Sequence, residues 1–63
     1  HTAAYNESIK RADELLNKKK YSDAKSLYEK ALSYKPSEEY PKNKIEKINS
    51  VLNAIEELHK NTF

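Results

Sequence analysis

Apolar residues return with a helical period in three separate stretches of the chain. Between Ala3 and Lys19 they are Tyr5, Ile9, Ala12, Leu15 and Leu16, whose steps of three and four keep them on one face at about 3.6 residues per turn. The second stretch brings Ala24, Leu27, Tyr28, Ala31 and Leu32 onto one face and is closed by Pro36, which holds Lys35 away from helical geometry. The third carries Ile45, Ile48, Val51, Leu52, Ile55 and Leu58. Pro41 precedes that face and is tolerated only in a first turn, with Glu38 and Glu39 where the helix dipole favours acids. The pattern predicts helices over about 3–19, 22–34 and 39–60. Together they make one small all-α domain over 1–63, an antiparallel helical hairpin plus a longer third helix.

Finer expectations follow. Ser22 or Asp23 is placed to cap the second helix, and the run Lys18-Lys19-Lys20 to end the first, complementing its dipole. Glu7–Arg11 and Glu14–Lys18 are acid-then-base pairs one turn apart. Ala12, Ala24 and Ala31 allow two backbones to approach closely. Tyr28 belongs to the core, and Tyr5 and Tyr21 to partly buried helix ends. Tyr34 and Tyr40 flank the Pro36 turn and are expected either to seal it or to offer a recognition surface.

Composition narrows the field. A chain of 63 residues gathers a thin core, and with no cysteine and no glycine it has neither disulfides nor a glycine-rich phosphate loop. Twelve Lys plus Arg against ten Asp plus Glu give a net charge of +2, with the signs interleaved. That is not the lopsided balance of a specific nucleic-acid binder. No apolar run is long enough to cross a membrane. His1 and His59 lie far apart and outside any zinc spacing, and Glu38-Glu39 and Glu56-Glu57 point to different helix faces. No catalytic constellation, metal site or cofactor motif is readable, so no enzyme is expected. Asn6-Glu7-Ser8 matches a glycosylation acceptor formally, a pattern that on a helix is mostly chance. The chain opens at His1 rather than at a methionine, which suggests an excised domain or a processed product.

Over a unit of roughly 34 residues starting at Tyr5, small and large residues fall in a distributed pattern: Ala12, Leu15, Tyr21, Ala24, Tyr28, Ala31 and Pro36. This resembles a tetratricopeptide repeat. The second half, Tyr21-x-x-Ala24-x-x-x-Tyr28-x-x-Ala31-x-x-x-x-Pro36, matches closely. The first half departs from it, with Ser8 where an aromatic is usual and Arg11 where leucine is usual. The third helix does not continue the register and resembles the capping helix of a repeat array. Tyr40-Pro41-x-x-Lys44-Ile45 is similar to repeat proteins of the bacterial cell envelope, which implies a periplasmic or envelope location. The chain is also similar to the three-helix microtubule-interacting and trafficking domain, although Pro36 shortens the second helix relative to that family.

The resemblance implies a protein-protein interaction module, a fragment of a larger protein, with a protein or peptide partner. Its concave face would be lined by the first helix, here Asn6, Ile9, Lys10, Asp13, Leu16 and Asn17. The candidate partner-binding residues are therefore Asn6, Lys10, Asp13, Asn17, Tyr34 and Tyr40. Some family members hold a C-terminal carboxylate with a lysine and an asparagine, but Ile9 and Asp13 stand at those places. Two other readings stay open. One is a structural spacer that self-associates through residues 45, 48, 52, 55 and 59, which step by three and four like a heptad seam. The other is nonspecific nucleic-acid binding through lysines 18–20, 42, 44 and 47.

Overall fold

The structure, a computed structural model, describes the backbone over residues 2–60 and side chains as far as residue 55. Three helices follow one another: α1 (Thr2–Asn17), α2 (Tyr21–Tyr34) and α3 (Glu39–Lys60). α1 packs against α2 and α2 against α3, while α1 and α3 touch only slightly. The architecture is the all-α hairpin with a longer third helix that the periodicity predicts. α3 runs antiparallel to α2: its first turn sets Tyr40 against Tyr28 in the middle of α2, and its middle brings Val51 beside Tyr21 at the start of α2. The expectations placed on His1, Glu56, Glu57, Leu58 and His59 lie outside the described side chains.

The core is thin and built from small residues around one large one. Ala12, Ala24, Tyr28 and Ile48 form the fully buried cluster, with Ile9, Leu15, Leu16, Tyr21, Leu27, Ile45 and Leu52 packed around it. Ala31 is also fully buried. The alanines let α1 and α2 approach closely, and Tyr28 and Ile48 fill the space that remains below α3. Tyr28 is the largest fully buried side chain among the described residues, and burial of a group of that size contributes roughly 2–3 kcal/mol. Pro41, expected only to be tolerated, is itself fully buried in the first turn of α3.

The turn between α1 and α2 differs from expectation in two respects. α1 ends at Asn17, two residues early, because Lys19 takes a left-handed conformation with φ 62°. The Lys20 N–H then donates to the Leu15 carbonyl at 2.9 Å and the Lys19 N–H to the Leu16 carbonyl at 2.9 Å. These are the two bonds of a Schellman cap. The three lysines therefore form the turn itself rather than the last turn of a helix, and Lys18 makes no ion pair with Glu14. Glu7 and Arg11 do pair at 2.9 Å, on an exposed surface where such a pair adds a few tenths of a kcal/mol. Lys20, not Ser22 or Asp23, is the N-cap of α2, without a side-chain cap bond. With the left-handed residue immediately before it, α2 starts one residue earlier than expected, so Ser22 and Asp23 fall inside its first turn. Asp23 still faces the positive end of the dipole there.

At the other end, Lys35 is extended, φ −136° and ψ 82°, as a residue before proline must be. Its N–H still donates to the Ala31 carbonyl at 3.1 Å, and the Glu38 N–H closes the turn onto the Lys35 carbonyl at 3.2 Å. The Lys35 ammonium lies 5.2 Å from the centre of the Tyr5 ring, which fastens this turn to the start of α1.

The helices are unequal in reach. At about 1.5 Å per residue, α3 is roughly 33 Å long and α2 roughly 21 Å, and the molecule measures 47 × 21 × 12 Å. Asn53, Ala54 and Ile55 are exposed, so α3 continues past the hairpin.

Two substitutions test this packing. Ala24→Leu forces extra volume into the closest helix approach and should cost about 1–3 kcal/mol; an unchanged melting temperature would place Ala24 away from the contact. Lys19→Gly removes the left-handed strain and should raise stability by roughly 1 kcal/mol in urea denaturation; a loss of stability would mean that the lysine side chain itself holds the turn.

Candidate functional site

Asp13 of α1 is the meeting point of the three helices. A buried phenol needs an acceptor, and the Tyr28 hydroxyl of α2 donates to Asp13 Oδ1. From α3, the Tyr40 hydroxyl donates to the same carboxylate, 3.0 Å from Oδ1 and 3.1 Å from Oδ2. The two rings meet edge to face with centroids 6.4 Å apart, and the Lys44 ammonium stands 5.4 Å from the Tyr40 ring centre. Tyr40 remains 44% exposed.

This environment favours neutral phenols. Burial first, then the hydrogen bond to Asp13, then the charge of Asp13 and the neighbouring Tyr40 raise the Tyr28 phenol well above the ordinary value of 10.0. Tyr40 is raised for the same leading reasons, partial burial and then Asp13, with Tyr5 adding to the effect. Tyr5 is raised by burial and then by the charge of Glu38.

Toward the other end of the same face lies an open notch of about 300 Å³ where α3 leaves the hairpin. Leu16, Tyr21, Ile48 and Val51 supply its apolar surface, and Asn17, Lys19 and Lys47 its polar edge. The Schellman turn places Lys19 there, and the antiparallel run of α3 places Lys47 opposite. Among the described residues no acidic one lines it. A second groove, of about 170 Å³, runs between α1 and α2 on the side away from α3, lined by Glu7, Ser8, Arg11, Lys30 and Tyr34 among others. Ser8, only 6% exposed, lines this groove.

The six candidates thus separate. Asp13 and Tyr40 are brought together and hydrogen-bond to each other. Asn17 edges the notch and Tyr34 the opposite groove, while Asn6 and Lys10 are exposed along α1. Five lining residues of the notch, Lys19, Tyr21, Lys47, Ile48 and Val51, were not among the concave-face residues expected from sequence. The signal that could have found them is the length of α3: a helix that outruns its hairpin must leave a corner where it departs. Among the described residues no helix is long and apolar enough to cross a membrane.

No family model matches the chain, and no curated protein or solved structure matches it either.

The phenol cluster makes stability depend on alkaline pH. Because the native state holds the Tyr28 proton more tightly than the unfolded chain does, its contribution is complete below about pH 10 and is lost as pH rises from there toward the native pKa. In that window Tyr28 should steepen the fall in stability by up to about 1.4 kcal/mol per pH unit. Urea denaturation of the wild type and Tyr28→Phe, at about pH 8 and pH 11, measures this difference directly. Equal pH slopes in the two proteins would contradict the assignment.

Proposed function

We propose that the chain is a protein-protein interaction module of helical-repeat type, in which a hairpin resembling one tetratricopeptide repeat is covered by a third helix, and that the notch beside α3 is where a partner docks. The observation that carries this reading is the notch itself. Leu16, Tyr21 and Val51 remain partly exposed around buried Ile48, on a surface otherwise dominated by interleaved charges. Concave apolar surface edged by a few polar groups is the usual character of a protein docking site.

The spacer reading is less well supported. Its seam would need Ile45, Ile48 and Leu52 on the outside of α3, and all of these pack into the domain's own core. Nucleic-acid binding is likewise disfavoured. Lys19 of the α1–α2 turn edges an apolar notch, whereas a phosphate-tracking surface would set it among many other cations or stacking aromatics.

The reading is tested by selecting binders from an unbiased random-peptide library against the whole chain and mapping them by NMR. The expected result is that recovered peptides shift the amides of Leu16, Tyr21 and Val51, and that Val51→Asn weakens them about tenfold or more, the value of one buried valine. Peptides that map elsewhere, or no peptides at all, would overturn it.

A further inference from the structure

From the lining of the notch we infer the kind of partner it takes: an acidic amphipathic helix, laid along α3 with apolar anchors at three- and four-residue spacing. The inference rests on the docking reading above and goes beyond it by naming the partner's chemistry.

The shape argument comes from α3. One wall of the notch is a straight helical face carrying Ile48 and Val51, and one further turn along the helix Ile55 is 39% exposed. Ile48 is buried in the domain's own core, so the accessible apolar positions on this face are 51 and 55, four residues apart as in a helical stripe. Two helices pack by setting ridges of that spacing into matching grooves. A partner helix lying beside α3 therefore meets successive apolar positions, whereas an extended segment would present its side chains to alternate sides. The end of the hairpin, with Leu16 and Tyr21, closes the corner and receives one anchor.

The charge argument comes from the edge. Lys19 and Lys47 flank the apolar surface and are both exposed. The described carboxylates near them in sequence do not compete: Glu14, Asp23 and Glu46 are exposed and do not line the notch. Lys19 holds its place at a cost, since a left-handed φ of 62° favours glycine over any side chain bearing a Cβ. A strained residue at the edge of an open apolar site is where a functional contribution is to be looked for. Glycine at this position would suit the turn better, but it would remove a cation from the notch. Fold and binding therefore ask for different residues at position 19.

The test uses the whole chain and three synthetic amphipathic helices with identical leucine anchors, whose flanking positions are glutamate, glutamine or lysine. The glutamate peptide should bind most tightly and the lysine peptide least, and the preference should shrink as salt is raised. Lys47→Glu should invert the order of the two charged peptides. Lys19→Gly should melt at a higher temperature and bind the glutamate peptide several-fold more weakly. Equal affinity for the glutamate and glutamine peptides, with both mapped to the notch, would overturn the acidic preference and leave the docking reading standing. Library binders that map to the notch but are neither acidic nor helical would do the same. Failure of both the designed peptides and the library to engage the notch would overturn the two together. A sedimentation profile showing that a second copy of the chain fills the notch would replace the proposed partner and overturn the inference. Unaltered binding by Lys19→Gly would remove Lys19 from the site and with it the strain argument.

Discussion

One carboxylate accepting a phenol from each of two other helices is the interaction on which this small domain depends. Asp13 lies on α1, Tyr28 on α2 and Tyr40 on α3. α1 and α3 share little direct packing, so their relative placement is set by what both present to α2 and by this shared acceptor. Hydrogen bonds to a charged group contribute more than neutral ones, about 1.5–3 kcal/mol each when shielded. The partial exposure of Tyr40 puts its share at the low end or below. In a domain whose buried cluster, among the described residues, is Ala12, Ala24, Tyr28 and Ile48, that is a large fraction of the few kcal/mol that a chain of this length has in reserve. The arrangement also orients α3, because its first turn is fixed through Tyr40 and through the buried ring of Pro41.

From that fixed first turn, the rest of α3 follows as geometry. It runs back along α2, covers Tyr28 with Ile48, and reaches the α1–α2 turn still in mid-helix. The notch is the consequence: a helix longer than the hairpin it covers passes the turn and leaves a corner there. Lys19 and Lys47 meet at that corner for unrelated reasons, one from a Schellman cap built without glycine and the other from the register of α3. The two grooves also differ in kind. The one on the α1–α2 side is edged by an acid, bases and Ser8, whereas among the described residues the notch combines apolar side chains with Asn17 and two cations.

Much of this fold is legible in the residues and their spacing. The alanines at 12, 24 and 31, the buried Tyr28, the proline stop at 36 and the first-turn proline at 41 all act through sterics that operate over a few residues. The extent of α3 follows from the same periodicity. What escapes is whatever depends on an unusual backbone or on a partner distant in sequence. With no glycine in the chain, nothing marks Lys19 as left-handed, so α1 reads two residues too long and the cap of α2 is assigned to Ser22 or Asp23. Asp13 reads as a surface residue because an acid beside the apolar stripe normally faces water. The signal that points to it is the hydroxyl of buried Tyr28, which needs an acceptor. The candidate site was partly legible for the same reason: Leu16 and Asn17 belong to a helix face read locally, while Lys47 and Val51 join them only through tertiary register.

The central claim is that Asp13 and Tyr28 are energetically coupled across the α1–α2 interface, and a double-mutant cycle on Asp13→Ala and Tyr28→Phe by urea denaturation measures this directly. The account predicts that the double mutant is more stable than the sum of the two single losses implies, with a coupling of about 1 kcal/mol or more. Losses that simply add, to within about 0.3–0.5 kcal/mol, would contradict it.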